Sequence, residues 1–184
     1  EGQNILRRLY AEEEFAKRHQ ITVKQLKEII KTGKEKLNKA KQKRVRPLLD
    51  DKVLLGWNAL MSAALCKAYN ITSDEKYLQR AQKNINFLLT EMYDTHTHQY
   101  CHTWKNGVAK LPAFLEDYAY LIQALIQIYT STADLSFLDK AKVITEMVLD
   151  NFSDEENVYF YFTNQHQQDV IFRKKELYDG ATPS

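Results

Sequence analysis

Two kinds of helical pattern alternate along the chain. Residues 55–70 and 114–130 are apolar almost all round, with Asn58, Ser62 and Lys67 or Glu116, Asp117, Gln123 and Gln127 as exceptions. A helix of that kind needs cover on most of its sides. Residues 75–92 and 135–152 are amphipathic instead. Tyr77, Ala81, Ile85, Leu88 and Met92 share one face, as do Phe137, Ala141, Ile144, Val148 and Phe152, which predicts helices with one side in water. Ser73 and Asp74, or Thr132 and Asp134, supply cap chemistry where the chain turns from the first kind into the second. After each amphipathic helix the period changes. Gln99 to Trp104 and Val158 to Thr163 are aromatic and β-prone, and Asp169 to Arg173 adds another short extended run, so small strands or hairpins are expected between helix pairs.

The alternation is an internal repeat. Shifted by 60 positions without a gap, Leu55, Ala59, Ala64, Leu65, Tyr69, Thr72, Asp74, Leu78, Ala81 and Asp94 meet identical residues from Leu115 to Asp154. Fixed-period similarity points to stacked supersecondary units. Covered and half-covered helices in pairs imply an inner and an outer layer, as in an α/α toroid or a curved helical array. The expected class is therefore all-α, a fragment of an α/α toroid with short β-hairpin excursions. Its expected divisions are a lead-in with a basic outer helix (1–50), two helical hairpin repeats (51–110 and 111–175) and the start of a third (176–184).

Charge is distributed unevenly. The net +2 hides ten Lys or Arg against Glu28 and Glu35 between residues 24 and 46, a local +8 that leaves −6 elsewhere. Val23, Leu26, Ile30, Gly33, Leu37 and Ala40 form a single apolar stripe through that stretch, and Thr22 with Gln25 resembles a capping box at its start. Such a helix can face the phosphates of a nucleic acid, but no aromatic interrupts the run to stack on bases, so a solvated outer face is the preferred reading.

Composition narrows the class. The 184 residues are 44% hydrophobic and 27% charged with only 5 Gly and 3 Pro, which disfavours disorder. No apolar run reaches the roughly 18 residues of a membrane span. Cys66 and Cys101 form neither a CxxC pair nor a disulfide framework, so a reducing, cytoplasmic setting is expected. Glu1 opens the chain without a charged and apolar leader, as a protein without a signal peptide or a trimmed piece of a longer one would.

Parallel inner helices would open their N-terminal ends on one rim. Asp50 and Asp51 precede the first, Glu116 and Asp117 begin the second, and Asp179 stands near a third start, 62 residues beyond Asp117. Trp57, Tyr118 and Tyr178 accompany them, with Asn58 nearby, and Lys52, Arg173 and Lys174 add positive charge. Carboxylates with flat aromatic faces suit sugar chemistry, in which carboxyl groups move protons and rings take the apolar face of a pyranose. Glu116 or Asp117 is the expected general acid or base, with Asp51 next and Trp57 or Tyr118 stacking on a sugar. The plainer alternative is that each acid caps a helix and each ring packs in the core. His96, His98, Cys101 and His102 show no standard zinc spacing and read as a polar loop. No P-loop, dinucleotide fingerprint or nucleophile elbow is present, and no metal or cofactor is expected.

Arg46-Pro47-x-x-Asp50-Asp51-Lys52-Val53-Leu54-x-x-Trp57-Asn58-x-Leu60-Met61 resembles a signature of the thioredoxin-domain-containing proteins that include spermatogenesis-associated protein 20. Leu115-Glu116-Asp117-Tyr118-Ala119 and Arg173-Lys174-Lys175 leading to Tyr178-Asp179-Gly180 agree with it. The chain departs from that pattern at Leu55-Gly56 and Ala59. The resemblance implies an internal piece of a domain similar to six-hairpin glycosidases and sugar epimerases, with a thioredoxin-like domain elsewhere in the longer protein. It implies a carbohydrate ligand for the whole domain and an inactive fragment. The competing expectation is a non-catalytic scaffold that binds a partner. Inner helices lacking neighbours would also leave apolar surface that drives self-association.

Overall fold

The computed structural model describes residues 9–154 and 156–175, which fall into two compact units divided between Asp50 and Asp51. In the first, α1 (Glu12–Arg18) and α2 (Val23–Gln42) bury Ala16 and Leu26. Thr22 and Gln25 make the capping box, the Gln25 backbone N–H donating to Thr22 Oγ1 and the Thr22 N–H to Gln25 Oε1. Most of the α2 apolar stripe stays open, Leu37 being 69% exposed.

The second unit contains the repeat. Helices α3 (Leu55–Thr72) and α4 (Glu75–Glu91) form one hairpin and α5 (Leu115–Thr132) and α6 (Leu135–Phe152) the next, with each element of the second 60 positions after its counterpart or nearly so. The turns match atom for atom. Ser73 and Ala133 end the inner helices in left-handed conformation with φ of 57° and 58°. Asp74 and Asp134 then cap the outer helices, accepting from the N–H of Lys76 and Ser136. Left-handed backbone closes a helix by satisfying its last carbonyls; here the Ser73 and Ala133 N–H groups donate to Tyr69 and Tyr129 carbonyls, each at 2.7 Å.

The inner helices α3 and α5 pack along each other, and the Leu55, Ala59, Cys66, Leu121, Leu125 and Ile128 side chains between and around them are buried. The amphipathic faces read from α4 and α6 close the core from outside through Ala81, Ile85, Leu88, Ala141, Ile144 and Val148.

Between the hairpins lies a small sheet. Strand β3 (Gln99–Lys105) pairs antiparallel with β1 (Val53–Leu54), β2 (Tyr93–Asp94) and β4 (Val108–Pro112). Asn106 and Gly107, both at positive φ, make the two-residue turn from β3 to β4, the turn chemistry that matches strand twist. After α6, β5 (Ser153–Asp154) and β6 (Asn157–Phe160) form a second, smaller ladder. The run Asp169 to Arg173, expected to be extended, forms bends and turns and joins no ladder among the described residues. It is held instead by the Arg173 guanidinium, which donates to the Thr163 and Asn151 carbonyls.

Candidate functional site

The N-terminal turns of α3 and α5 meet at one buried carboxylate. Asp117 is the third residue of α5, and its Oδ2 accepts from the N–H of Phe114, the residue before the helix, at 3.0 Å. Its Oδ1 accepts from the Gly56 N–H in the first turn of α3, also across 2.9 Å. That contact makes the two inner helices start side by side. It also requires glycine: a Cβ on Gly56 would lie 2.9 Å from Asp117 Oδ1 and 3.1 Å from the Tyr120 ring. The Asp117 side chain is 2% exposed, so it has no open face toward a solvent-borne ligand.

Its third partner lies on β3. His102 Nδ1 stands 2.7 Å from Asp117 Oδ2. Because an ionised carboxylate only accepts, Nδ1 carries the proton and donates it, which leaves Nε2 as the titrating nitrogen. The His102 side chain is 21% exposed, and Nε2 has no hydrogen-bond partner among the described residues and is not among their buried polar atoms. The hydrogen bond that His102 donates to Asp117 raises the imidazole's affinity for a proton above its ordinary value, partial burial works against it, and Glu116 adds to the rise while Lys52 reduces it. Those four residues therefore form one electrostatic group. Aromatic rings continue from it: His102 lies 4.9 Å from Phe114, Phe114 stacks on Phe162 at 4.7 Å, and the Lys174 ammonium sits over Phe162.

The remaining expected site residues take several different positions. Glu116 is half-buried beside His102, and Asp51 is exposed and ion-paired with Lys105, which lowers its proton affinity. Trp57 is 60% exposed in the first turn of α3. Asn58 donates to the Leu54 carbonyl, and its own carbonyl accepts from Asn84 and Ser62. Tyr118 does not face a ligand. It is buried, its hydroxyl accepts from the Tyr100 N–H, and its ring packs edge-on against Tyr100 and Phe152; burial pushes its phenol well above the ordinary value. It is apolar bulk with one satisfied polar atom. Arg173 is consumed by backbone carbonyls and lies over the Tyr161 ring. Asp50 is exposed in the first unit, and Tyr178 and Asp179 lie outside the described residues.

His102 was not among the expected site residues. One sequence signal marks it: strand alternation puts it in register with Tyr100 and Trp104, both in contact with the core, and a histidine in such a row needs a polar partner. His96 and His98 lie in the exposed turn between β2 and β3, and no group of three or more His, Cys, Asp or Glu among the described residues is placed to hold a metal ion. No described helix is long and apolar enough to cross a membrane.

Comparison with known proteins gives homologues along the whole chain. It is 35% identical over 189 residues to an uncharacterized protein of Caenorhabditis elegans, and 29% and 28% identical to spermatogenesis-associated protein 20 of Rattus norvegicus and Homo sapiens. The chain spans about a quarter of the length of these relatives, 26%, 24% and 25% respectively. No family model matches it. Among solved structures it is similar to cellobiose 2-epimerase of Bacillus thermoamylovorans, with a TM-score of 0.56 and 17% identity over 64% of this chain and 34% of that one. The α-mannanase BT2949 of Bacteroides thetaiotaomicron gives a TM-score of 0.57 and 16% identity over 65% of this chain and 34% of that one. A family 105 glycoside hydrolase of C. acetobutylicum gives a TM-score of 0.51 and 14% identity over 77% of this chain and 48% of that one. The paired helices thus have the fold of the six-hairpin glycosidase-like α/α toroids, of which this chain supplies a part.

Proposed function

We propose that the chain is part of a carbohydrate-processing domain, with its site at the adjoining N-terminal ends of α3 and α5. The observation that carries this reading is the part-buried His102–Asp117 pair at those ends, with Glu116 next to Asp117 in the first turn of α5 and Lys52 just before β1, in a fold whose neighbours are named as sugar epimerases and glycosidases. Glu116 meets the ligand. Asp117 acts through His102, as a positioning residue. The exposed Trp57 ring supplies a flat apolar face for a sugar, and the Asp51–Lys105 ion pair and Lys174 supply charged contacts. Asp50, Arg173, Tyr178 and Asp179 remain proposed contacts of the complete rim, and Asn58 supports the first turn of α3.

The missing repeats leave the isolated fragment inactive and prone to self-association through exposed Trp57, Met61 and Ile126. A thioredoxin-like domain elsewhere in the longer polypeptide is part of the same proposal. Cys66 and Cys101 are buried and unpaired, which supports a reducing, cytoplasmic setting. The test is a screen of mono- and disaccharides against the full-length protein by ligand-observed NMR, with Glu116→Gln and Asp117→Asn as variants. Binding weakened by Glu116→Gln is expected; absence of binding by every form overturns the reading.

A further inference from the structure

We propose that the groove between α6 and the turn joining β2 to β3 is a docking site for a peptide segment of a partner protein, one that presents a bulky apolar side chain next to a lysine or arginine. The groove shares no residue with the group around His102, so it is independent of the carbohydrate reading.

Ser136, Lys140, Val143 and Met147 recur at spacings of three and four along α6, beside the face that closes the core. They form one wall of a cavity of about 470 Å³, and Tyr93, His98 and Tyr100 form the other. That volume lies in the range of ligand pockets. The second wall is held by its own contacts. Tyr93 packs edge-on against Tyr100 at 5.0 Å, the His96 N–H donates to Asp94 Oδ1, and His98 ends the turn in the left-handed region with φ of 55°, beside the Tyr93 hydroxyl.

The repeated scaffold does not call for an apolar wall here. Every exposed position of α4 is polar, as suits an outer helix facing water, and Lys83 stands 60 positions before Val143. Val143 is nonetheless 64% exposed. The exposed Leu135, Leu138 and Leu149 have a different explanation. At 100° per residue they fall on the opposite flank of α6, the flank left for a further hairpin to pack on. The groove side already faces the excursion that follows the first hairpin, so stacking of repeats leaves the groove open.

Chemistry selects the occupant. Val143, Ile144, Met147 and the two tyrosine rings suit apolar bulk and not the hydroxyl-rich surface of a sugar. Lys140 is turned onto its own helix, donating to the Ser136 carbonyl at 3.3 Å and lying over the Phe137 ring. Asp139 makes no hydrogen bond or ion pair among the described residues, and its carboxylate is the charge presented to a partner. A basic residue beside an apolar anchor meets both features, the anchor supplying affinity and the charge pair fixing direction.

The full-length protein is panned against random peptides displayed on phage, and enriched peptides are measured singly by fluorescence anisotropy. They should share a bulky apolar residue within two positions of a lysine or arginine. Val143→Lys, which installs the residue of the first hairpin, should weaken their binding about tenfold or more with the melting temperature unchanged. Asp139→Asn should weaken it less and flatten its dependence on salt. Should Val143→Lys lower the melting temperature, Val143→Ser decides by the same criterion. No enrichment over an unrelated protein, or enriched peptides that bind the Val143 variant as well as the wild type, overturns the proposal and leaves the carbohydrate reading standing.

Discussion

The two helical hairpins have the same backbone and different polar contents. In the first, Asn84 on α4 donates to the Asn58 carbonyl and to Ser62 Oγ on α3, and Ser62 donates to Asn58 in turn. Sixty positions later Tyr118, Ile122 and Ile144 occupy those places and the joint is apolar apart from one hydroxyl. The excursions differ in the same way: β3 carries His102 where the second excursion carries Phe162, and both rings contact Phe114. The repeat therefore supplies the scaffold, with its caps, left-handed turns and core positions held in common. The polar group of His102, Glu116 and Asp117 lies where the repeat is broken, Phe162, Gly56 and Trp57 being their counterparts 60 positions away.

That contrast can be broken hardest at Asp117. Asp117→Ala removes the acceptor of three hydrogen bonds and leaves the Gly56 and Phe114 N–H groups without it, so urea unfolding should show a loss of about 3–5 kcal/mol. A loss no larger than that of a surface substitution would mean that the carboxylate does not join the helices. Next comes the close approach it depends on. Gly56→Ala should cost about 1–3 kcal/mol by forcing its Cβ against Asp117 and Tyr120. Gly33→Ala in α2, where nothing lies within 4 Å of the new Cβ, should instead stabilise its helix by about 0.5–1 kcal/mol.

The features common to both hairpins predict equal responses. Ser73→Gly and Ala133→Gly should each raise stability by about 0.5–1 kcal/mol, left-handed strain being relieved at some cost in chain entropy. Unequal responses in thermal melts would show that the two turns are not equivalent in solution.

How much of this was legible beforehand follows from where each signal resides. The helices were legible because their periodicity is local, and the pairing of hairpins because identities such as Asp74 with Asp134 serve the same cap twice. Strand β1 was not, since two residues carry no period and Val53–Leu54 is extended only through its ladder with Trp104 and Thr103. Strand β4 has its own signal in Asn106-Gly107, a two-residue turn pair at the end of β3. Tyr118 was expected at a ligand because it adjoins two acids in sequence, yet one helical step turns it 100° into the core. His102 was grouped with His96 and His98 by proximity along the chain. Its actual partner is 15 residues away on another element, and no spacing rule connects a strand to the first turn of the next helix.

A smaller effect concerns pH. The folded protein holds the His102 proton more tightly than the unfolded chain, whose reference value is 6.5. That linkage stabilises the fold fully below the unfolded value and is lost as pH rises through the higher folded one. The ratio of wild-type to His102→Gln stability, followed by urea unfolding across that range, should fall with rising pH; a flat or rising ratio would contradict the linkage.

The claim beneath all of these is that Asp117 fixes the protonation geometry of His102. The 15N chemical shifts of the imidazole, followed as a function of pH in the folded protein, report it directly. Nδ1 should remain protonated throughout and Nε2 should titrate above the reference value of 6.5. A neutral form protonated on Nε2, or titration at or below the reference value, would contradict the account.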